Sequence, residues 1–89
     1  MIQKIDNKNW QIYLLLCADN TFYCGVTNNL IQRLISHHSG KGSKYTRGRL
    51  PVKLIRLSDL MGKGEALKME RVIKGLPKAL KPKHNIWTK

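Results

Sequence analysis

The sequence predicts a small α+β domain with the element order β-β-α-β-α, and three observations predict it. The chain has 89 residues, within the roughly 50–250 residues of one folded domain. Near the start, two short apolar runs are separated by turn residues, the pattern of a β-hairpin. Further on, apolar residues recur twice at helical spacing, with a short β-friendly run between the two stretches.

Each element follows from its own residues. Residues 11–17, Gln-Ile-Tyr-Leu-Leu-Leu-Cys, form the first strand, and 22–26, Phe-Tyr-Cys-Gly-Val, the second. Ala18-Asp19-Asn20-Thr21 between them is turn chemistry. Thr27-Asn28-Asn29 supplies N-cap residues before a helix over 30–38, whose apolar positions are Leu30, Ile31, Leu34 and Ile35. Ser39-Gly40 ends that helix. Residues 41–50 are rich in Lys, Arg and Gly and predict an exposed, mobile basic loop, closed by Pro51. Residues 52–57 alternate imperfectly and predict a third strand; 59–64 connect it to a second helix over about 65–75, with Ala66, Met69, Val72, Ile73 and Leu76 on one face. Pro77 and Pro82 interrupt the basic end of the chain, where a short helix fits. With no repeat and no linker, the prediction is one domain over residues 1–89, its core at about 10–80 and a basic tail at 81–89.

Charge narrows the function. There are 17 Lys and Arg against 5 Asp and Glu, a formal net charge of +12. Such an excess points to a polyanion, nucleic acid before an anionic membrane surface, because the bases are spread over every segment rather than along one amphipathic helix. No apolar run approaches the roughly 18–20 residues of a membrane span. The N-terminus lacks the apolar stretch of a signal peptide, so a cytoplasmic location is expected. Cys17 and Cys24 are too few for a disulfide framework, and with His37 and His38 their intervals match no common zinc finger. Two-metal chemistry needs several convergent carboxylates, and this chain has only Asp6, Asp19, Asp59, Glu65 and Glu70. Any metal chemistry must therefore run on one carboxylate and one cation.

Elimination singles out Glu70. Asp19 is explained by the turn, Asp59 by the connector, Asp6 by the N-terminal tail, and Glu65 by the favourable start of a helix. Glu70 lies just beyond the apolar border of the second helix, and its plain alternative is a surface pair with Lys74. On the first helix, His38 falls within the Leu34, Ile31 and Ile35 stripe and is expected in the core or at its lip. Arg33 and His37, one turn apart on the edge of that stripe, either converge above the sheet or form a solvated flank. Tyr13 and Tyr23 share a face of the hairpin only if paired residue numbers sum to an even value, which demands an odd loop or a bulge. In that register Cys17 and Cys24 fall on opposite faces, which excludes a disulfide between them.

These pieces resemble the GIY-YIG nuclease domain, in particular its small stand-alone bacterial members. The likeness is carried by Ile12-Tyr13-Leu14, by Tyr23-Cys24-Gly25 about ten residues later, by Arg33 and His37 on a helix, by the segment Gly40 to Val52, and by Glu70 on a later helix. Cys24 stands where the family's namesake isoleucine would be, Asn85 does not match the further asparagine of larger members, and no specificity domain is present. The resemblance implies a three-stranded antiparallel sheet flanked by helices and a phosphodiester hydrolase acting on DNA, branched or flap forms included, in repair or recombination. It implies one Mg²⁺ or Mn²⁺ on Glu70, Arg33 on the scissile phosphate, Tyr13 and Tyr23 positioning or deprotonating the attacking water, and His37 assisting proton transfer or phosphate contact.

A tyrosine with an ordinary pKa near 10 serves as base at neutral pH only if nearby positive charge depresses it; the net charge of +12 supplies such a field. Lys41, Lys44, Arg47, Arg49 and Lys74 are the expected backbone contacts, and Tyr45 either stacks on a base or packs on the sheet. A protein partner would supply specificity. The competing functions are a non-catalytic nucleic-acid-binding module of the same fold and an RNA- or ribosome-associated basic protein. The nuclease expectation carries a structural condition: the five side chains Tyr13, Tyr23, Arg33, His37 and Glu70 should line one concave face, and if Tyr23 and Glu70 lie on opposite sides of the sheet the site in this form cannot exist.

Overall fold

The computed structural model describes residues 8–88; Asp6 and its explanation lie outside them. Strand β1 (Gln11–Leu16) is the centre of a three-stranded antiparallel sheet of order β2-β1-β3, with β2 at Phe22–Thr27 and β3 at Lys53–Leu57. Its unbroken apolar run is what a strand covered on both faces requires, and Ile12, Tyr13, Leu14 and Leu15 are all fully buried.

The hairpin meets the parity condition. Tyr13 pairs with Gly25 and Leu15 with Tyr23, so both tyrosines stand on one face. The odd loop between the strands is closed by Cys17 N–H donating to Thr21 O at 2.8 Å, with Asn20 in the left-handed region at φ 65°. The Asp19 carboxylate accepts from the Thr21 hydroxyl at 2.6 Å and its backbone N–H at 3.2 Å, the turn role the sequence implied. Cys17 and Cys24 are free thiols in different cores.

Helix α1 (Leu30–His38) starts at Asn29, whose side chain accepts from Gln32 N–H, and Gly40 at φ 80° follows its end. Its inward face differs from the expected stripe. Leu30 and Leu34 pack on the sheet, His37 is fully buried and Arg33 is partly so, while Ile31 and Ile35 are 72% and 56% exposed. His38 is an exposed residue at the end of the helix, its ring nitrogens 2.9 and 2.8 Å from the carbonyls of Leu34 and Val52. Leu30 and Leu34 sit four apart with His37 a further turn along, and that line, not the Ile31 and Ile35 line, points at the strands.

Residues 41–50 are not a featureless loop. They contain a one-turn helix α2 (Lys44–Arg47), started by a capping box in which the Ser43 hydroxyl accepts from Thr46 N–H and the Thr46 hydroxyl accepts from Ser43 N–H. Strand β3 carries a bulge at Ile55, opposite the Leu14/Leu15 step, which turns Ile55 toward one face and Leu54 and Leu57 toward the other. Helix α3 (Lys63–Gly75) covers the face bearing Ile12, Leu14 and Cys24 through Ala66, Met69 and Ile73, joined by Trp10, Ile86 and Trp87. A 3-10 helix over Lys78–Lys83 brings Lys81 back onto the end of α3, where its ammonium donates to the carbonyls of Ile73, Lys74 and Leu76 at 3.1, 2.9 and 2.7 Å. The carbonyls of Lys74 and Leu76 at the negative end of α3 are thereby satisfied, and that of Ile73 gains a second donor beside Leu76 N–H.

Candidate active site

The opposite face, covered by α1 and α2, holds the polar cluster. Tyr13 lies fully buried with its hydroxyl 2.9 Å from His37 Nε2, and Arg33 Nε–H donates to that oxygen at 3.3 Å. Position 25, directly across the ladder, has to be glycine, because a Cβ there would overlap the Tyr13 hydroxyl. His37 Nδ1 is 2.9 Å from the buried Thr46 hydroxyl, and a Cβ at Gly42 would overlap its ring. The Tyr23 ring packs beside both, its centroid 6.3 Å from Tyr13 and 5.4 Å from His37. Tyr13, Tyr23, Arg33 and His37, from β1, β2 and α1, thus gather in one cluster.

Burial sets the protonation states. It pushes the Tyr13 hydroxyl up to about 12, against the opposing hydrogen bond from Arg33. The general positive field was expected to lower such a pKa; desolvation of the charged form outweighs it at a fully buried ring. Burial, with the nearby Arg33 and His38, pulls the His37 imidazole down to about 4, so it is neutral at neutral pH. Arg33 is held above its ordinary value, first by its hydrogen bond to Tyr13. Arg33 also lines a cleft of about 250 Å³ with Thr27, Asn28, Asn29, Gln32 and Ser36.

Glu70 is elsewhere. It stands on α3, which packs on the Ile12 and Leu14 face, whereas Tyr23 belongs to the Tyr13 and Leu15 face. The condition that all five side chains line one face is therefore not met, so the site expected from sequence does not exist in that form, and any site that includes Glu70 has to wrap an edge of the sheet. The two groups are connected only around the free edge of β2. There a cavity of about 270 Å³ is lined by Phe22, Tyr23, Cys24, Tyr45, Lys74 and Lys81, taking residues from both sides of the sheet. The Glu70 carboxylate adds to the burial that pushes the Cys24 thiol up to about 12, which places its charge beside β2. Its present partner is Lys74 Nζ at 3.2 Å, the surface pair the helix spacing allowed. Among the described residues no three His, Cys, Asp or Glu side chains gather as a metal cluster.

The basic residues divide. Lys41, Lys44, Arg47 and Lys74 are exposed. Arg49 is engaged: it pairs with Asp19 at 2.8 Å, donates to Tyr45 O at 2.9 Å, and lies 3.9 Å over the Tyr45 ring, which also stacks on Tyr23. Tyr45 thus packs on the Tyr13 and Leu15 face of the sheet while lining the cavity at the β2 edge. Thr46, Ser43 and Gly42 have no role in the sequence reading beyond their segment; Ser43-x-x-Thr46 carries a legible capping signature, while Gly42 reveals itself only through what it touches.

Residues 9–84 match the family model of the GIY-YIG catalytic domain. The chain belongs to the GIY-YIG family. Membership in this nuclease domain family supports a nuclease-type function. A UPF0213 protein of Nitratidesulfovibrio vulgaris is 53% identical over 68 residues, covering 76% of this chain and 62% of that protein, so the match spans under two thirds of that relative. A UPF0213 protein of Neisseria gonorrhoeae is 46% identical over 79 residues, 89% of this chain and 85% of its own. Among solved structures, the solution NMR structure of EF2693 from E. faecalis is 38% identical with a TM-score of 0.59, covering 89% of this chain and 85% of that one. The UPF0213 protein BH0048 from Bacillus halodurans, also 38% identical, gives a TM-score of 0.53 over 83% of this chain and 79% of that one. These two solved structures share the small α+β architecture seen here.

Proposed function

We propose that this GIY-YIG protein is a metal-assisted DNA endonuclease or nickase acting in repair or recombination, with branched or flap DNA among its substrates and a protein partner contributing specificity. The observation that carries the proposal is the hydrogen-bonded cluster of Tyr13, His37 and Arg33 beside Tyr23, with Arg33 only partly buried and lining an open cleft. A merely basic binding surface has no use for a buried, fully partnered tyrosine–histidine pair.

The side chains divide the work by exposure. Tyr13 is sealed from solvent and held protonated, so it orients Arg33 rather than meeting water. Tyr23 lines the cavity at the β2 edge and is the tyrosine that would position and deprotonate the attacking water. Arg33 presents a planar fork that matches two phosphate oxygens. His37, neutral at neutral pH, accepts a hydrogen bond without adding charge. Glu70 fits a hard divalent cation, because Mg²⁺ is typically held by one or two carboxylates with waters and substrate phosphate oxygens, and Mn²⁺ accepts similar donors. When bound, such a cation polarises the phosphoryl oxygen. Lys74 must then release Glu70 and is free to meet the phosphate backbone with Lys41, Lys44 and Arg47.

A second function is favoured by one specific observation, the Glu70–Lys74 pair on the far side of the sheet: a non-catalytic nucleic-acid-binding module with Glu70 as an ordinary surface charge. Incubation with supercoiled, branched and flap DNA in Mg²⁺ or Mn²⁺ separates the two. The nuclease gives nicks that vanish in Glu70→Ala while DNA binding persists and weakens steeply with salt. Binding without cleavage on any substrate supports the module.

A further inference from the structure

The order of hydrogen-bond donors in the buried cluster is determined by its chemistry. A guanidinium only donates, so the Tyr13 oxygen accepts from Arg33 Nε–H. The Tyr13 O–H is buried and has one remaining partner, His37 Nε2 at 2.9 Å, and among the described residues no buried side-chain nitrogen or oxygen is left without a partner. Tyr13 therefore donates to Nε2, which must be bare. A neutral imidazole carries its single proton on the other nitrogen, so Nδ1–H donates to the Thr46 hydroxyl at 2.9 Å. The Thr46 proton then has the Ser43 hydroxyl at 3.0 Å or the Ser43 carbonyl at 3.4 Å. Every donor in the series finds an acceptor in this order, and reversing the histidine leaves the Tyr13 proton with none.

We infer that Thr46 is a positioning residue of the proposed active site: from the one-turn helix α2 its hydroxyl accepts from His37 Nδ1–H, in the tautomer that Tyr13 sets, and so holds the ring where it receives the Tyr13 proton and keeps Tyr13 turned toward Arg33. Two further features suit this role. Thr46 is fully buried and held by the Ser43 capping box, so its hydroxyl has little freedom. Gly42, just upstream, lies so close to the His37 ring that a Cβ there would overlap it, which confines the ring. The functional part of this inference rests on the nuclease proposal; the tautomer does not.

The test is ¹⁵N NMR of the histidine ring nitrogens in the full-length protein near pH 7. The wild type should show His37 with Nδ1 protonated and Nε2 bare. Thr46→Val should shift the Nδ1 signal and speed exchange of its proton while Nε2 stays bare, and Thr46→Ser should restore the wild-type pattern by returning the hydroxyl. A wild-type His37 protonated on Nε2, or ring signals unchanged in a folded Thr46→Val, overturns the inference. The wild-type spectrum decides the tautomer even if Thr46→Val fails to fold. Where the protein nicks DNA, Thr46→Val should lower kcat about 10- to 100-fold, the range typical of lost outer-shell partners, with KM for DNA unchanged and Thr46→Ser near wild type. A wild-type kcat in Thr46→Val overturns the positioning role. If no DNA is nicked, the nuclease proposal fails while the tautomer result still stands or falls by itself.

Discussion

The two faces of the central strand alternate residue by residue and have opposite characters. Ile12 and Leu14 face α3 in a core of aliphatic and sulfur-containing side chains with tryptophans around it; Tyr13 and Leu15 face α1 and α2, where buried hydroxyls and an imidazole are linked into a network. The apolar face owes its stability to burial and is indifferent to pH. The hydroxyl face adds directional bonds, which are expensive to leave unmade and which fix one geometry. The difference shows how a small domain accommodates a site: period-two alternation lets one strand serve both purposes, and the free edge of β2 is where a group from the apolar side, Glu70, approaches the other.

Breaking each face separately sharpens the contrast. Leu14→Ala should lower unfolding stability by about 2–5 kcal/mol in urea titration, as expected for a fully buried leucine, equally at pH 5 and pH 7. The hydroxyl face should respond to acid. His37 binds its proton more weakly folded than unfolded, with its pKa lowered from 6.5 to about 4, so its contribution is complete above pH 6.5 and is lost as the pH falls toward 4. That loss is on the order of 3 kcal/mol, and His37→Gln should flatten this part of the stability curve. Next in size, Tyr13→Phe strips an acceptor from Arg33 and a donor from His37 and should cost about 1–3 kcal/mol with reduced nicking. Smallest is Lys74→Ala: its i,i+4 pair with the half-buried Glu70 is worth about 0.5 kcal/mol, so stability should hardly move while Glu70 becomes more available to a cation.

Much of this was legible in the sequence, and the failures share a cause. The hairpin and its parity condition, the antiparallel sheet implied by the resemblance and the start of α1 at Asn29 follow from local chemistry and agree with the structure. The inward face of α1 does not, because Leu30, Ile31, Leu34 and Ile35 form a broad stripe whose rotation is decided by what Tyr13 and Thr46 offer to His37, contacts distant in sequence. Helix α2 was hidden in a base-rich segment that composition marks as loop, though Ser43 and Thr46 spell its cap. The side of the sheet that carries Glu70 depends on where α3 docks, which no local pattern encodes. Elimination could isolate Glu70 as the carboxylate without another role; it could not say that the polypeptide edge of β2 separates it from Tyr23.

The central claim is that the proposed site wraps that edge, and paramagnetic broadening by Mn²⁺ in the presence of uncleavable DNA tests it most directly. The amide signals of Tyr23, Cys24, Glu70 and Lys74 should broaden together at low Mn²⁺ and recover their intensity in Glu70→Ala. Broadening confined to Asp19 or Asp59, or broadening around Glu70 that leaves Tyr23 and Cys24 untouched, would contradict the account.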